Sequence, residues 1–226
     1  MTIDIWSDFV CPFCYIGKRK LEAALAGFAH RDQVEIRWRS FELNPDLAPL
    51  PAETSHGALA RVKSIPLAEA VGMADHVTRL AAQEGLRYDF HKAVAANSFA
   101  AHQLLHFGAA HGRQDALKER LFAAYYTEGE DINNVETLVR LAAEVSLDAD
   151  AARQALRAGT YAGAVREDER EAQRLQIQGV PFFVFDEKYA VSGAQPSAVF
   201  ADVLAQVWQE SQPALVEGAT CGPEGC

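Results

Sequence analysis

The residues of this chain best suited to chemistry are two cysteines separated by a Pro-Phe dipeptide, Cys11-Pro12-Phe13-Cys14. A thiolate attacks a disulfide sulfur. A second thiol three positions along a helix lies on the same face, one turn away, where it can attack the mixed disulfide and release the product. Cys11 is thus expected to be the nucleophile and Cys14 the resolving thiol. A cysteine that opens a helix faces unpaired backbone N–H groups and the positive end of the helix dipole, so the Cys11 thiol is expected below its ordinary pKa. A C-x-x-C pair also reads as half of a zinc site, and Cys221 and Cys226 would bring the ligand count to four. Zinc pairs usually sit on turns or knuckles. This pair opens an amphipathic helix directly after a strand, which favours redox chemistry with no metal.

The elements that position the pair follow from periodicity. Residues 2–7 alternate apolar Ile3 and Ile5 with polar neighbours, as a strand does, and Asp8-Phe9-Val10 is a short turn. Pro12 suits the first helical position, where its missing N–H leaves nothing unpaired, and Phe13, Ile16, Leu21, Leu25 and Phe28 form the stripe of the helix that follows. Residues 34–41 alternate again, completing a βαβ unit with a right-handed crossover. A loop at 44–52 carries Pro45, Pro49 and Pro51. Helical patterns then run over 67–84, 97–111 (capped by Asn97 or Ser98), 115–127, 135–145, 149–158 and 161–176. Strands return at 181–185 and 189–191, joined by an Asp186-Glu187-Lys188 turn, and an amphipathic helix covers 197–212. The expectation is an α/β, thioredoxin-like fold, βαβ … ββα, with a large all-helical insertion. Residues 1–52 and 177–212 would form the discontinuous thioredoxin-like domain and 53–176 the helical domain. Residues 213–226 would be a flexible tail carrying the second cysteine pair.

Composition narrows the partners. The chain has 226 residues and a formal charge of −10, so it lacks the basic surface that nucleic acid or an anionic membrane requires. No run approaches the roughly 20 apolar residues of a membrane span. Met1-Thr2-Ile3-Asp4-Ile5-Trp6 lacks the basic and apolar segments of a secretory signal, which reads as cytoplasmic. Closely spaced cysteines in that compartment are more often reactive than structural. Trp6 and Asp8 flank the motif and are candidates to shape it or to hold a proton near Cys14, with core packing an equal reading for Trp6. The acidic and basic run at 166–171 reads as a solvated helix face, and the remaining histidines show no convergence on a metal.

The segment Ile5-Trp6-Ser7-Asp8-Phe9-Val10-Cys11-Pro12-Phe13-Cys14-Tyr15-Ile16-Gly17 resembles the opening of DsbA-like thioredoxin-fold oxidoreductases, in particular the FrnE-type subfamily. So do Asn97-Ser98-Phe99-Ala100-Ala101-His102, the stretch from Leu121 to Gly129, Gly179-Val180-Pro181-Phe182-Phe183-Val184-Phe185 and Val191-Ser192-Gly193-Ala194-Gln195. The resemblance implies thiol–disulfide oxidoreductase or isomerase activity on protein or small-molecule disulfides. It implies a cis Pro181 lying against the sulfurs, with Pro12, Phe13 and Val180 at the substrate. By likeness to related isomerases and kappa-class transferases, it also places Asn97 and His102 near a ligand. Some members carry a C-terminal cysteine pair, so Cys221 and Cys226 are candidates for electron exchange with the first pair. DsbA itself has a His in the dipeptide; Pro12-Phe13 removes that positive partner and implies a milder thiol and a less oxidising couple. No cofactor is implied beyond the redox disulfide, with glutathione an optional co-substrate. The partners would be client thiols and disulfides and a recycling reductase or oxidase. Two alternatives stay open: a glutathione-dependent isomerase or transferase of the 2-hydroxychromene-2-carboxylate isomerase or kappa-class type, and a thiol-dependent chaperone.

Overall fold

Ile3 and Ile5 are fully buried because β1 (Thr2–Ser7) is an inner strand of the sheet. The computed structural model describes residues 1–48 and 53–211. After β1 come α1 (Pro12–Ala26) and β2 (Glu35–Ser40), which pairs parallel to β1 with Ile3 opposite Ile36 and Ile5 opposite Trp38. The chain returns to the sheet with β3 (Phe182–Phe185) and β4 (Tyr189–Ser192). Both pairings on that side are antiparallel, and the order is β2-β1-β3-β4. Helix α9 (Ser197–Ser211) packs beside α1 and closes the fold.

Between β2 and β3 the described residues form α2 (Ser55–Lys63), α3 (Leu67–Gln83), α4 (Phe99–Ala110), α5 (Gln114–Ala123), α6 (Val135–Glu144), α7 (Ala149–Ala158) and α8 (Ala162–Arg174). Helix α4 is the hub, packed against α5, α6, α7 and α8. The thioredoxin-like α/β architecture with helices between its halves is therefore present.

Three local differences from the sequence reading have physical causes. Helix α2 is a separate element beyond those the sequence pattern marks; Thr54 starts it by accepting from the Gly57 N–H at 3.2 Å. The helix expected over 115–127 ends as an α-helix at Ala123 and widens into a π-turn, Ala124–Glu128. Gly129, at φ 74°, ends that turn and lies against Lys92. The helix expected from 97 starts at Phe99, because Asn97 stands outside it and accepts the Phe99 N–H at 3.0 Å. Pro49, Pro51, Cys221 and Cys226 lie outside the described residues.

Candidate active site

Cys11 is the N-cap of α1, in extended conformation, with Pro12 at the first helical position and Cys14 in the first turn. Tyr88 fixes that turn from the helical block by donating to the Pro12 carbonyl at 2.7 Å. Both cysteines are free thiols and nearly sealed, 4% and 1% exposed. Their surroundings differ. Cys11 lines a cleft and its thiol donates to the Val180 carbonyl at 3.3 Å. Cys14 lies behind it, and its sulfur accepts the Asp8 N–H at 3.4 Å. The Val180–Pro181 peptide is cis, and the Pro181 carbonyl accepts the Gly193 N–H, tying the loop to the end of β4.

The cleft has a volume of about 520 Å³ and is bounded by the start of α1, the 43–47 loop, α2 and α3. Its lining is largely apolar. Phe13, Leu43, Val62 and Met73 line it while remaining exposed, and Tyr125 of the π-turn forms part of its wall. His56 and Lys63 are among its polar lining residues.

The thiol chemistry departs from expectation. The Cys11 thiol is pushed well above its ordinary value, first by its hydrogen bond with the Cys14 sulfur, then by burial, then by negative charge on Cys14 and Asp8. The Cys14 backbone N–H opposes this. The helix N-terminus does favour a thiolate, but two sulfurs and a carboxylate packed together out of water outweigh it. One negative charge on the pair therefore disfavours a second.

Asp8 is fully buried and is held as a carboxylate, below the usual range. Burial opposes this and is outweighed by His102, the Leu43 N–H and Ser98. Its Oδ2 accepts from Leu43 at 2.8 Å, and His102 Nε2 lies 3.4 Å from Oδ1.

The structure brings together Cys11, Cys14, Pro12, Phe13, Val180 and Pro181. It separates the other two candidates. His102 is 0% exposed, packed on the Phe9 ring at 4.9 Å, beneath the dithiol and away from the cleft lining. Asn97 is also absent from the lining; its Nδ2 donates to the Pro45 carbonyl at 2.9 Å and so braces the loop that forms one wall. Trp6 is a packing residue, its indole N–H donating to the Asp168 carbonyl at 3.0 Å. Two residues packed around the motif carry no signal in the sequence as read above: Tyr88, which holds the Pro12 carbonyl, and Lys118, buried with its ammonium 3.9 Å from the Phe9 ring. The latter could have been found, because Lys118 stands three and four positions before Leu121 and Phe122, on the buried stripe of α5.

Among the described residues no three His, Cys, Asp or Glu side chains converge as a metal site. No helix among them is long and apolar enough to cross a membrane.

Residues 2–205 match the model of the DSBA-like thioredoxin domain. A probable DsbA oxidoreductase from Streptomyces coelicolor superposes with a TM-score of 0.87 at 41% identity, over 100% of this chain and 98% of that one. The uncharacterised protein YwbO of Bacillus subtilis is 28% identical over 89% of this chain and 94% of its own length. The cytosolic disulfide reductase DsbM from Pseudomonas aeruginosa has a TM-score of 0.64 at 20% identity, over 92% of this chain and 100% of that one, which is a likeness of fold.

Proposed function

The chain belongs to the DSBA-like thioredoxin domain family, and from that premise we propose that it is a dithiol–disulfide exchange enzyme working in the reducing or isomerising direction. One observation carries the reading: Cys11 opens α1 at the cleft beside the Val180 carbonyl, with Cys14 shielded directly behind it. Cys11 attacks a substrate disulfide, one substrate sulfur leaves as a thiol, and a mixed disulfide forms. Cys14 then attacks the Cys11 sulfur, the Cys11–Cys14 bond forms, and the second substrate thiol is released. Substrate backbone would take the place of the Cys11 thiol at the Val180 carbonyl, and apolar groups flanking the disulfide would occupy the cleft beside Phe13.

The direction follows from the thiol. A couple is strongly oxidising when its reduced form is stabilised as a thiolate. Here the Cys11 thiolate is disfavoured, so the disulfide is the relatively stabler form and the dithiol a better reductant. Under this reading a reducing compartment such as the cytoplasm supplies the electrons, through a recycling reductase or glutathione as co-substrate, and clients are proteins or small molecules bearing disulfides. Cys221 and Cys226 remain candidates to exchange with the first pair, a proposal that a Cys221→Ser, Cys226→Ser variant tests through the oxidation state of Cys11 and Cys14. A glutathione-dependent isomerase would use one activating Ser or Cys and leave Cys14 idle; the placement of Cys14 favours exchange.

Insulin reduction and refolding of scrambled ribonuclease by wild type and Cys11→Ser test the proposal. Loss of both activities in the variant is expected. Insulin reduction that persists in Cys11→Ser would overturn the reading.

A further inference from the structure

Lys118 is a buried charge that no described residue pairs with. It projects from α5 into the core, 0% exposed, and its Nζ has no hydrogen-bond partner among the described residues. Three rings surround the ammonium: Phe9 at 3.9 Å, Phe122 at 4.7 Å and Trp38 at 5.3 Å. Ring faces attract a cation, but they replace its water poorly, and an unpaired ammonium in the core lowers folding stability. A methionine would fill the same aromatic box without that penalty.

The ionisable groups facing Lys118 identify what the charge is for. They are Asp8 from the turn after β1, Cys11 and Cys14 at the head of α1, Lys18 farther along α1, and His102 from α4. The Asp8 carboxylate is already taken by the Leu43 N–H and His102. Lys18 is committed to Glu22, Asp115 and Glu119. His102 is engaged with Asp8. The Cys14 sulfur is met by the Asp8 N–H and the Cys11 thiol, neither of which carries a positive charge, and Asp8 is the residue next to Phe9, whose ring carries the ammonium. What remains without a countercharge is the negative charge that develops on the dithiol.

We propose that Lys118 is a positioning residue for the dithiol: its ammonium, caged against Phe9, supplies the field that stabilises negative charge on the Cys14 sulfur from the side opposite the cleft. The proposal deepens the exchange reading above and rests on it. In the resolving step Cys14 gives its proton to solvent and its sulfur attacks Cys11 in the mixed disulfide. The Cys11–Cys14 bond forms, the bond to substrate breaks, and the leaving substrate sulfur takes up a proton. The enzyme dithiol is oxidised and the substrate disulfide reduced. Lys118 keeps its proton throughout and lowers the free energy of the attacking thiolate. Burial brings the Lys118 ammonium down to about 8, with Cys14, Asp8 and Cys11 opposing the shift. It is charged at neutral pH, and its contribution fades as pH rises through that value.

The test compares wild type, Lys118→Met and Lys118→Arg in the full-length reduced protein. Thiolate absorbance and iodoacetamide alkylation are followed against pH, the dithiol is equilibrated with glutathione buffers, and urea unfolding is measured. In Lys118→Met the thiolate titration should move up by about one pH unit, a roughly tenfold smaller thiolate fraction at neutral pH. The reduced form should lose a similar factor, about tenfold, against glutathione. Its resistance to urea should be equal or greater, and Lys118→Arg should restore the titration. Unchanged titration and equilibrium in Lys118→Met, with weaker folding, would assign Lys118 to packing and overturn the proposal. Should Lys118→Met fail to fold, Lys118→Gln replaces it with the same two outcomes. These readouts report ionisation and equilibrium, which any dithiol possesses. Failure of the exchange reading would instead appear as insulin reduction surviving in Cys11→Ser.

Discussion

Gly17 sits in α1 where the helix carrying both cysteines presses on the rest of the site. A Cβ added there would lie 3.0 Å from Pro181 Cγ, 3.2 Å from Phe183 Cζ and 3.6 Å from Ala194 Cβ. Two opposing effects set the outcome of Gly17→Ala. Replacing glycine by alanine inside a helix contributes about 1 kcal/mol of stability. Forcing a methyl group into a filled core costs about 1–3 kcal/mol. The neighbours have little room to yield: Phe183 is fully buried and meets the Phe200 ring edge-on at 4.7 Å, and Pro181 is a rigid ring. The clash therefore wins, and the net loss should be about 1 kcal/mol. Relief by moving α1 would also carry Cys11 away from the Val180 carbonyl, now 3.3 Å from its sulfur, so exchange should slow several-fold. Urea unfolding measures the first effect, as a lower midpoint at unchanged slope, and insulin reduction measures the second. A Gly17→Ala protein that is about 1 kcal/mol more stable and equally active would show that α1 does not bear on Pro181 and Phe183 as described.

Gly129→Ala should cost at least about 3 kcal/mol, because φ is 74° and the new Cβ would lie 2.8 Å from the Lys92 carbonyl oxygen; a change in thermal midpoint within error would contradict this. Glu42 has a side chain only 1% exposed, one oxygen without a partner among the described residues, and a carboxyl raised by burial from 4.5 to about 7, although Arg166 opposes the shift. The stability its protonated form contributes is complete below 4.5 and is lost as pH rises through about 7, so Glu42→Gln should be more stable than wild type by about 1 kcal/mol at pH 8 and equal to it at pH 4. A gain at pH 4 as large as at pH 8 would refute the assignment. Cys14→Ser should accumulate a Cys11 mixed disulfide with substrate, visible by mass spectrometry, since Cys14 is the sulfur placed to release it; rapid turnover without such an adduct would remove Cys14 from the resolving role.

The βαβ … ββα order was legible because its signals are local. Ile3 and Ile5 alternate with polar residues, Pro12 marks a helix start, and the Gly179-Val180-Pro181 punctuation precedes an apolar run. The position of the CPFC pair at the head of α1 followed from those signals alone. What stayed hidden depends on distant chain segments. Ala124-Tyr125-Tyr126-Thr127 continues a helical pattern in sequence, and the widening into a π-turn ends where Gly129 meets Lys92, 37 positions away in the chain. His102 and Asn97 have the residue types of a ligand site, yet burial under Phe9 and a bond to the Pro45 carbonyl decide their roles. The direction of the Cys11 shift could not be read from helix position, because it is set by burial and by the proximity of Cys14 and Asp8.

The reduction potential of the Cys11–Cys14 couple, measured by equilibrating the protein in glutathione buffers and alkylating the remaining thiols, bears most directly on the claim that this chain reduces or isomerises disulfides. The disfavoured Cys11 thiolate predicts a value of about −180 mV or lower, in the range of reducing and isomerising couples. A value near the roughly −120 mV of DsbA would mean that the reduced form is strongly stabilised, and would contradict it.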